Sequence, residues 1–323
     1  MNYVTLGSTG VQVSQLCFGV MSFGGDADEA TSAAMYRRTR DAGINFYDCA
    51  NVYQRGRAEE ILGKLMADER DELVITTKVG SRMRDGVNGD GLSRRHIMRE
   101  AEDSLRRLGT DRIDLYFLHR FDNAVPMEET LRALDDLVTQ GKVLYPAVSN
   151  WAAWQIAKSL GVSAQEGLAS FACIQPMYNL TKRQAEVEIL PLAQAEGLGV
   201  IPYSPLGGGL LSGKYGATAR PDSGRLMDNA MYAKRYGAEL HYEVAERFTE
   251  YAKEKGIHPA TLAVAWVGAH PGVTAPIIGA RNVGQLEASL AAADVDMTPA
   301  WWAEIAALSY DPGIATDRSE EKG

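Results

Sequence analysis

Eight short apolar segments recur along the chain, and the gaps between them are long enough to hold helices. Each segment reads as a continuous hydrophobic run rather than as an alternation of apolar and polar residues, which is the pattern of strands covered on both faces. The segments span residues 16–19, 44–48, 73–78, 113–118, 143–148, 171–175, 199–203 and 275–279. This pattern restricts the chain to folds that bury a parallel sheet between helices.

The stretches between these segments carry apolar residues at helical spacing. Ser93 is a candidate N-cap for one helix, which ends at Gly109, and a second stripe ends before Gly141. The two stripes consist of Ile97, Ala101, Leu105 and Leu108, and of Met127, Leu131, Leu134 and Val138. Two more helices are predicted at residues 239–255 and 259–268.

Strands that alternate with helices predict an α/β fold. Eight parallel strands with intervening helices favour a (β/α)8 TIM barrel over a doubly wound sheet, and no GxGxxG motif follows the first strands. Residues 3–6 and 11–14 flank a Gly-rich turn and predict an N-terminal β-hairpin. Residues 299–308 predict an extra C-terminal helix, followed by a polar tail at 311–323. No linker interrupts the pattern, so we expect a single domain over residues 1–323.

The composition limits the function classes. Hydrophobic residues make up 46% of the chain and charged residues 23%, as in ordinary globular proteins, and the net charge is −9. A negative net charge argues against nucleic acid or an anionic membrane as the main partner. Three cysteines without a CxxC pair, and no run of about 18 apolar residues, predict a reduced, cytoplasmic protein. The five histidines show no ligand spacing, so we expect no metal site.

Active sites of such barrels lie at the carboxyl-terminal ends of the strands. In chain order these positions hold Asp48, Lys78, His119, Ser149 with Asn150, Gln175, Tyr203 and the loop 279–281, while Tyr53 lies just past the second strand. Each residue alone is most simply explained as a cap, a turn residue or a solvated side chain. Their convergence on one face of one barrel predicts a functional site.

Four of these residues form a coherent set for proton donation. A tyrosine has an ordinary pKa of about 10, too high for an efficient acid near neutral pH. An ammonium group at Lys78 would lower the pKa of Tyr53, and Asp48 would supply the counter-charge that a buried lysine needs. His119 could hold a carbonyl oxygen beside the tyrosine hydroxyl. The set lacks a paired nucleophile and base, so its missing component is an electron source such as a cofactor hydride.

In residue type, order and position, these four residues resemble the catalytic tetrad of the aldo-keto reductases. Residues 43–48, Gly-Ile-Asn-Phe-Tyr-Asp, are similar to the family element GINFxDxAxxY, and the resemblance spans residues 3–308. It implies NADPH-dependent reduction of a small-molecule aldehyde or ketone to the alcohol, with Tyr53 as the proton donor. The loop lengths resemble those of bacterial members and of potassium-channel β-subunits.

The resemblance also implies cofactor contacts. The nicotinamide carboxamide would bind Ser149, Asn150 and Gln175, the nicotinamide ring would stack on Tyr203, and the pyrophosphate would lie at Ser204, Pro205, Leu206 and Leu211. The chain departs from the family at the 2′-phosphate, where Gly279 and Ala280 replace Lys or Ser. Arg281 is our candidate for the 2′-phosphate because a guanidinium suits bidentate contact, and Gln285 is our candidate for the adenosine.

Two long loops, residues 80–92 and 216–238, follow predicted strands and lie on the predicted site face. Residues 208–214 read G-x-x-x-x-G-K, but Tyr215 replaces the hydroxyl residue that Mg²⁺ needs in a P-loop. The glycines there are better suited to close backbone approach to a pyrophosphate, with Lys214 as a weaker electrostatic contact.

Two other functions compete with carbonyl reduction. One is a nicotinamide-nucleotide-binding redox sensor or channel-associated subunit with slow turnover. The other is a metal-dependent barrel hydrolase or isomerase built on Asp48 and His119. The sequence leaves open the substrate, the strictness of NADPH over NADH, the order of the two long loops and whether the protein forms a homo-oligomer.

Overall fold

Ten strands form two sheets within residues 1–316, the part of the chain that this computed structural model describes. The first two strands pair antiparallel, and the other eight pair in parallel. The strands are β1 (Tyr3–Thr5), β2 (Gln12–Ser14), β3 (Cys17–Gly19), β4 (Phe46–Asp48), β5 (Val74–Val79), β6 (Ile113–Leu118), β7 (Val143–Ser149), β8 (Cys173–Gln175), β9 (Gly199–Val200) and β10 (Ile277–Ile278). The predicted N-terminal hairpin is therefore confirmed.

The parallel sheet curls until its last strand meets both of its neighbours. Strand β10 pairs with β3 along one edge. Along the other edge, the backbone N–H of Ala275 donates to the Val200 carbonyl at 3.2 Å, and that of Ile277 donates to the Pro202 carbonyl at 2.9 Å. These bonds join the segments of β10 and β9, so the predicted (β/α)8 barrel is confirmed.

Helices surround the barrel. They are α1 (Glu29–Asp41), α2 (Arg57–Met66), α3 (Arg94–Leu108), α4 (Met127–Thr139), α5 (Ala153–Glu166), α6 (Ile189–Glu196), α7 (Arg225–Asp228), α8 (Ala230–Tyr236), α9 (Glu239–Glu254), α10 (Pro259–Gly268), α11 (Val283–Leu290) and α12 (Pro299–Ala306). The cap of α3 is the predicted one, because Ser93 accepts a hydrogen bond from the His96 N–H. Gly109 ends the helix with a left-handed φ of 63°. The extra C-terminal helix is α12.

The hairpin covers the amino-terminal end of the barrel. Leu6 and Val13 are fully buried in one cluster with side chains of the barrel interior. A methyl group on Gly199, at the start of β9, would lie 2.6 Å from Leu6, and the Ser8 N–H donates to the Gly197 carbonyl at 2.7 Å. With this end covered, the carboxyl-terminal end of the barrel is left for the site.

The second long loop differs from the prediction. Within residues 216–238 lie two short helices, α7 and α8, and Asn229 caps α8 by accepting from the Met231 N–H at 3.0 Å. Leu226 and Tyr232 are buried against the segment after β9, where a methyl group on Gly208 would lie 2.7 Å from the Tyr232 ring. Helices of four and seven residues are too brief to leave a periodic pattern in the sequence.

The first long loop, residues 80–92, contains neither helix nor strand. No helix within residues 1–316 is long and apolar enough to cross a membrane. Residues 317–323 of the predicted polar tail lie outside the described part of the chain.

Candidate active site

Asp48 ends β4, and its side chain connects three barrel strands. Its carboxylate is 2% exposed. Oδ1 accepts hydrogen bonds from Thr76 Oγ1, Lys78 Nζ and Gln175 Nε2, each at 2.8 Å, and Oδ2 accepts from Lys78 Nζ at 2.7 Å. Because β5 and β8 both supply partners, the carboxylate that β4 carries is held in one orientation at the barrel mouth.

Lys78, near the end of β5, is fully buried, and its ammonium group donates hydrogen bonds to several oxygens. Besides Asp48, Nζ donates to the Cys49 carbonyl at 2.7 Å and to the Tyr53 hydroxyl at 3.2 Å. Burial by itself lowers the pKa of Lys78, but the Asp48 carboxylate and Tyr53 outweigh it, and the net pKa lies above its ordinary value. Lys78 is therefore a charged donor at neutral pH, as the sequence analysis expected.

Tyr53 opens a short 3₁₀ turn (Tyr53–Gly56) just after β4. The Lys78 ammonium lies 4.9 Å from the centre of its ring as well as beside its hydroxyl. Burial raises the pKa of Tyr53, Lys78 lowers it and Asp48 raises it, with a net value of about 12. Lys78 thus acts in the direction expected from the sequence, but burial outweighs it, and the phenol is protonated at neutral pH.

His119 follows β6 and lies edge-on to Tyr53, with ring centres 6.3 Å apart. Its backbone N–H donates to the Val79 carbonyl at 2.8 Å, and its Nδ1 is buried without a hydrogen-bond partner among residues 1–316. Burial, followed by the charges of Lys78 and Arg120, lowers the pKa of His119 to about 3. The imidazole is therefore neutral at physiological pH, with one N–H to donate to an oxygen.

The residues that we expect to contact a nicotinamide carboxamide form hydrogen bonds with one another. Ser149 Oγ donates to the Gln175 carbonyl at 2.9 Å, and Asn150 Nδ2 donates to the His119 carbonyl at 2.9 Å and to Ser149 Oγ at 3.0 Å. The Tyr203 hydroxyl donates to Asn150 Oδ1 at 2.6 Å. Asn150 has a left-handed φ of 60°, which this set of bonds stabilises. The structure therefore brings these four residues together beside His119.

The segment after β9 has an irregular backbone with several residues at positive φ. Ser204 has a positive φ of 58°, and it leads through Pro205 and Leu206 into a 3₁₀ segment (Gly207–Ser212) that contains the buried Leu211. Three successive glycines in this segment have φ values of 57°, 69° and 104°. A methyl group on the third, Gly209, would meet no atom of the described residues within 4 Å. Lys214 follows as an exposed side chain.

Arg281, beyond β10, lies in a group of charges that the sequence did not reveal in full. Its Nε is 3.0 Å from Asp26 Oδ2, and Arg225 of α7 lies 3.7 Å from the same oxygen. The Arg281 backbone N–H donates to Gln285 Oε1 at 3.2 Å. Gly279 is exposed nearby. Arg225 was missed because the loop 216–238 contains three arginines, and only the fold shows which of them contacts Asp26 beside Arg281.

A cavity of about 380 Å³ adjoins this mouth. Asn150 and Trp151 lie on one side of it, and Met177 and Lys182 on the other. The Trp151 indole N–H is buried and has no hydrogen-bond partner in the described part of the chain, while its ring packs edge-on against Phe121 with ring centres 4.7 Å apart. No sequence pattern indicates this cavity, because its lining comes from the segments that follow two different strands.

The chain is similar to known proteins over most of its length. The model of the aldo/keto reductase family matches residues 15–309. An uncharacterized oxidoreductase of Bacillus subtilis is 40% identical, with 92% of each chain covered. A probable voltage-gated potassium channel subunit beta of Oryza sativa is 38% identical over 91% of this chain and 92% of its own. The versiconal hemiacetal acetate reductase of Aspergillus parasiticus is 32% identical over 93% of this chain and 94% of its own.

Proposed function

Because the chain belongs to the aldo/keto reductase family, we propose that it reduces an aldehyde or ketone to the alcohol with NADPH and that Tyr53 donates the proton. One observation carries this proposal. The Tyr53 hydroxyl lies 3.2 Å from the Lys78 ammonium, which the Asp48 carboxylate holds at 2.7 Å. A protonated phenol beside a fixed positive charge suits a reaction in which negative charge develops on an oxygen.

Each residue of the tetrad then has a role. The Tyr53 Oη–H moves its proton to the carbonyl oxygen, and Lys78 stabilises the phenolate that remains. The neutral His119 donates an N–H to the same oxygen and so orients the carbonyl beside Tyr53. Asp48 fixes Lys78 and balances its charge within a buried site. When bound, the nicotinamide cofactor would supply the hydride that the carbonyl carbon takes up.

The residues at the mouth fit such a cofactor. Arg281 and Arg225 share the single carboxylate of Asp26, which leaves an excess positive charge for a phosphate. Gly209 leaves backbone uncovered by side chains after β9, because a methyl group there would meet no described residue within 4 Å, and this suits a pyrophosphate. We propose Ser149, Asn150 and Gln175 for the carboxamide and Tyr203 for the ring, with Asn150 exchanging its bond to Tyr203 for one to the carboxamide.

The remaining proposed contacts lie around the two phosphate groups. They are Ser204, Pro205, Leu206, Leu211 and Lys214 for the pyrophosphate, Gly279 and Arg281 for the 2′-phosphate, and Gln285 for the adenosine. We add Arg225 to this set because it meets Asp26 together with Arg281.

A second candidate function is a nucleotide-binding redox sensor or channel-associated subunit with slow turnover. The probable potassium channel β-subunits of Oryza sativa and Arabidopsis thaliana, 38% and 36% identical to this chain, favour it. The two functions predict the same cofactor binding but different turnover numbers.

The first test is a titration of the purified protein with NADPH and, separately, NADH, followed by quenching of intrinsic fluorescence. We expect tight NADPH binding and turnover on a panel of aldehydes that survives chelation of metal ions. Tight binding with negligible turnover on every carbonyl would favour the sensor. Failure to bind either nucleotide would refute both functions.

A further inference from the structure

The turn that carries Tyr53 has an unfavourable backbone. Gln54 and Arg55, the two residues after Tyr53, have left-handed φ values of 47° and 54°, and Gly56 follows at 96°. Residues other than glycine adopt this conformation only where their surroundings enforce it. The contacts on either side of the turn therefore decide where the tyrosine hydroxyl lies.

Asn51 holds the turn on the side that precedes Tyr53. It is fully buried, its backbone N–H donates to the Lys78 carbonyl at 3.3 Å, and its Nδ2 donates to Glu100 Oε2 at 3.0 Å. Glu100 lies on α3 and is also fully buried. The Tyr53 N–H donates to the Ala50 carbonyl at 3.1 Å, so Asn51 lies inside the turn that this bond closes, and its bond to Glu100 ties that turn to α3.

Helix α3 also holds the side that follows the turn. Arg107 covers Gly56, where a methyl group would lie 2.7 Å from Arg107 Cδ. Arg107 Nε donates to the buried Glu59 at 2.6 Å, and Glu59 accepts from Thr77 Oγ1 at 2.5 Å. The turn is thus fixed to α3 at both ends, and Asn51 is the link that stands two residues from Tyr53.

The negative charge of the Glu100 carboxylate is balanced by an arginine of the first long loop, residues 80–92. Arg84 Nε lies 3.5 Å from Glu100 Oε1, and the same guanidinium pairs with Asp103 on α3. No hydrogen bond reaches Oε1 among the described residues, so the bond from Asn51 is the one that orients Glu100. A charged acceptor in a buried site makes a stronger hydrogen bond than a neutral one.

We propose that Glu100 is a positioning residue that acts through Asn51 to hold the Tyr53 hydroxyl beside Lys78. This inference rests on the proposed function, because it assigns Glu100 a part in proton donation by Tyr53. A displacement of about 1 Å at a reacting group can cost a hundredfold in rate. The Asn51–Glu100 bond therefore affects the chemical step rather than the binding of cofactor or substrate.

The test reverses the direction of this hydrogen bond. Asn51→Asp places two carboxylates against each other, whereas Asn51→Asp with Glu100→Gln restores one charge and one bond, now donated by residue 100. We expect the single variant to lose at least about tenfold in kcat, with KM and NADPH affinity changed by less than about twofold. The double variant should return to within about threefold of wild-type kcat.

Asn51→Ala removes the bond without repulsion and gives the same comparison if Asn51→Asp does not fold. The matched control is Asp114→Asn, which alters another buried carboxylate, paired with Arg70 at 2.7 Å near the start of β6. The control should lower thermal stability, and it should not lower kcat while leaving KM unchanged. Wild-type kcat in both Asn51 variants would overturn the proposal, and so would a fall of kcat accompanied by a comparable rise of KM and a loss of cofactor affinity, which is the pattern of general structural damage.

A second readout does not depend on turnover. The ¹³Cζ resonance of Tyr53, assigned by its disappearance in Tyr53→Phe, should shift in Asn51→Asp and return in the double variant. An unchanged resonance in the single variant would overturn the proposal even if no carbonyl substrate is found. A shifted resonance in a protein without carbonyl turnover would instead refute the proposed function and leave the positional role of Glu100 supported.

Discussion

The Lys78 ammonium lies 3.2 Å from the Tyr53 hydroxyl and donates a hydrogen bond to it. The same ammonium donates to both oxygens of Asp48 and to the Cys49 carbonyl, so its position is fixed by partners that do not move with Tyr53. Tyr53 alone can adjust the distance between the two groups. The geometry of the turn after β4 therefore controls how strongly Lys78 stabilises a phenolate.

Replacing Tyr53 with phenylalanine removes the proton donor and leaves the ring. We expect kcat for aldehyde reduction to fall at least about a hundredfold, since general acid catalysis contributes 10²–10⁴-fold in typical enzymes. The dissociation constant of NADPH should change less than about twofold. Tyr36→Phe, which removes a phenol bonded to Glu69 outside the barrel, is the control and should keep its turnover. A Tyr53→Phe enzyme with more than about a tenth of wild-type kcat would contradict the role.

Replacing Asp48 with asparagine leaves Lys78 without its counter-charge. Because Lys78 is fully buried, the free energy of unfolding should fall by about 3–5 kcal/mol, the usual cost of removing one partner of a buried ion pair. Urea denaturation measures this change. A second replacement, Lys78→Met, should recover part of the stability by removing the unpaired charge, but it should not recover turnover. Equal stability of the single and double variants would show that Lys78 finds another partner.

The positions of the strands could be predicted from the sequence because continuous apolar runs are what a sheet buried on both faces requires. The ends of those runs then identified Asp48, Lys78 and His119 as neighbours, since all barrel strands point to one mouth. The structure brings them together with Tyr53. These residues could be predicted as neighbours because topology alone determines their proximity.

Other features depend on packing that a sequence does not display. Asn51 and Glu100 are 49 positions apart, and neither follows a strand in a way that suggests a pair. Arg225 is one of three arginines in its loop, and only its contact with Asp26 distinguishes it. The net pKa of Tyr53 depends on a balance of burial against Lys78, and burial cannot be read from residue types.

His119 should make stability depend on pH in a defined direction. Its pKa is about 3 in the folded chain and 6.5 as the ordinary value, so the unfolded chain binds more protons between these two values. Stability therefore falls as pH decreases from about 6.5 toward 3. In His119→Asn this contribution is absent, and the free energy of unfolding should fall less steeply than in wild type between about pH 6.5 and 4.5. Parallel urea-denaturation profiles for the two proteins would contradict the lowered pKa.

Arg281 should discriminate NADPH from NADH. A guanidinium that contacts a phosphate typically contributes 1.5–3 kcal/mol, so Arg281→Ala should weaken NADPH binding by about tenfold or more. NADH lacks the 2′-phosphate, and its affinity should change less than about twofold. Fluorescence titration with both nucleotides measures this ratio, and Arg132→Ala, which breaks an exposed pair with Glu166, is the matched control.

The carboxylate of Asp26 provides a further test of the proposed 2′-phosphate site. Arg225→Ala should weaken NADPH binding in the same direction, because both guanidinium groups share one carboxylate. Asp26→Asn should instead strengthen it, since the two arginines then lose the anion that competes with the phosphate. The gain should shrink as ionic strength rises, because the pair is half-exposed and screened by salt. Equal losses for NADPH and NADH in Arg281→Ala would move Arg281 away from the 2′-phosphate and favour a dual-cofactor enzyme.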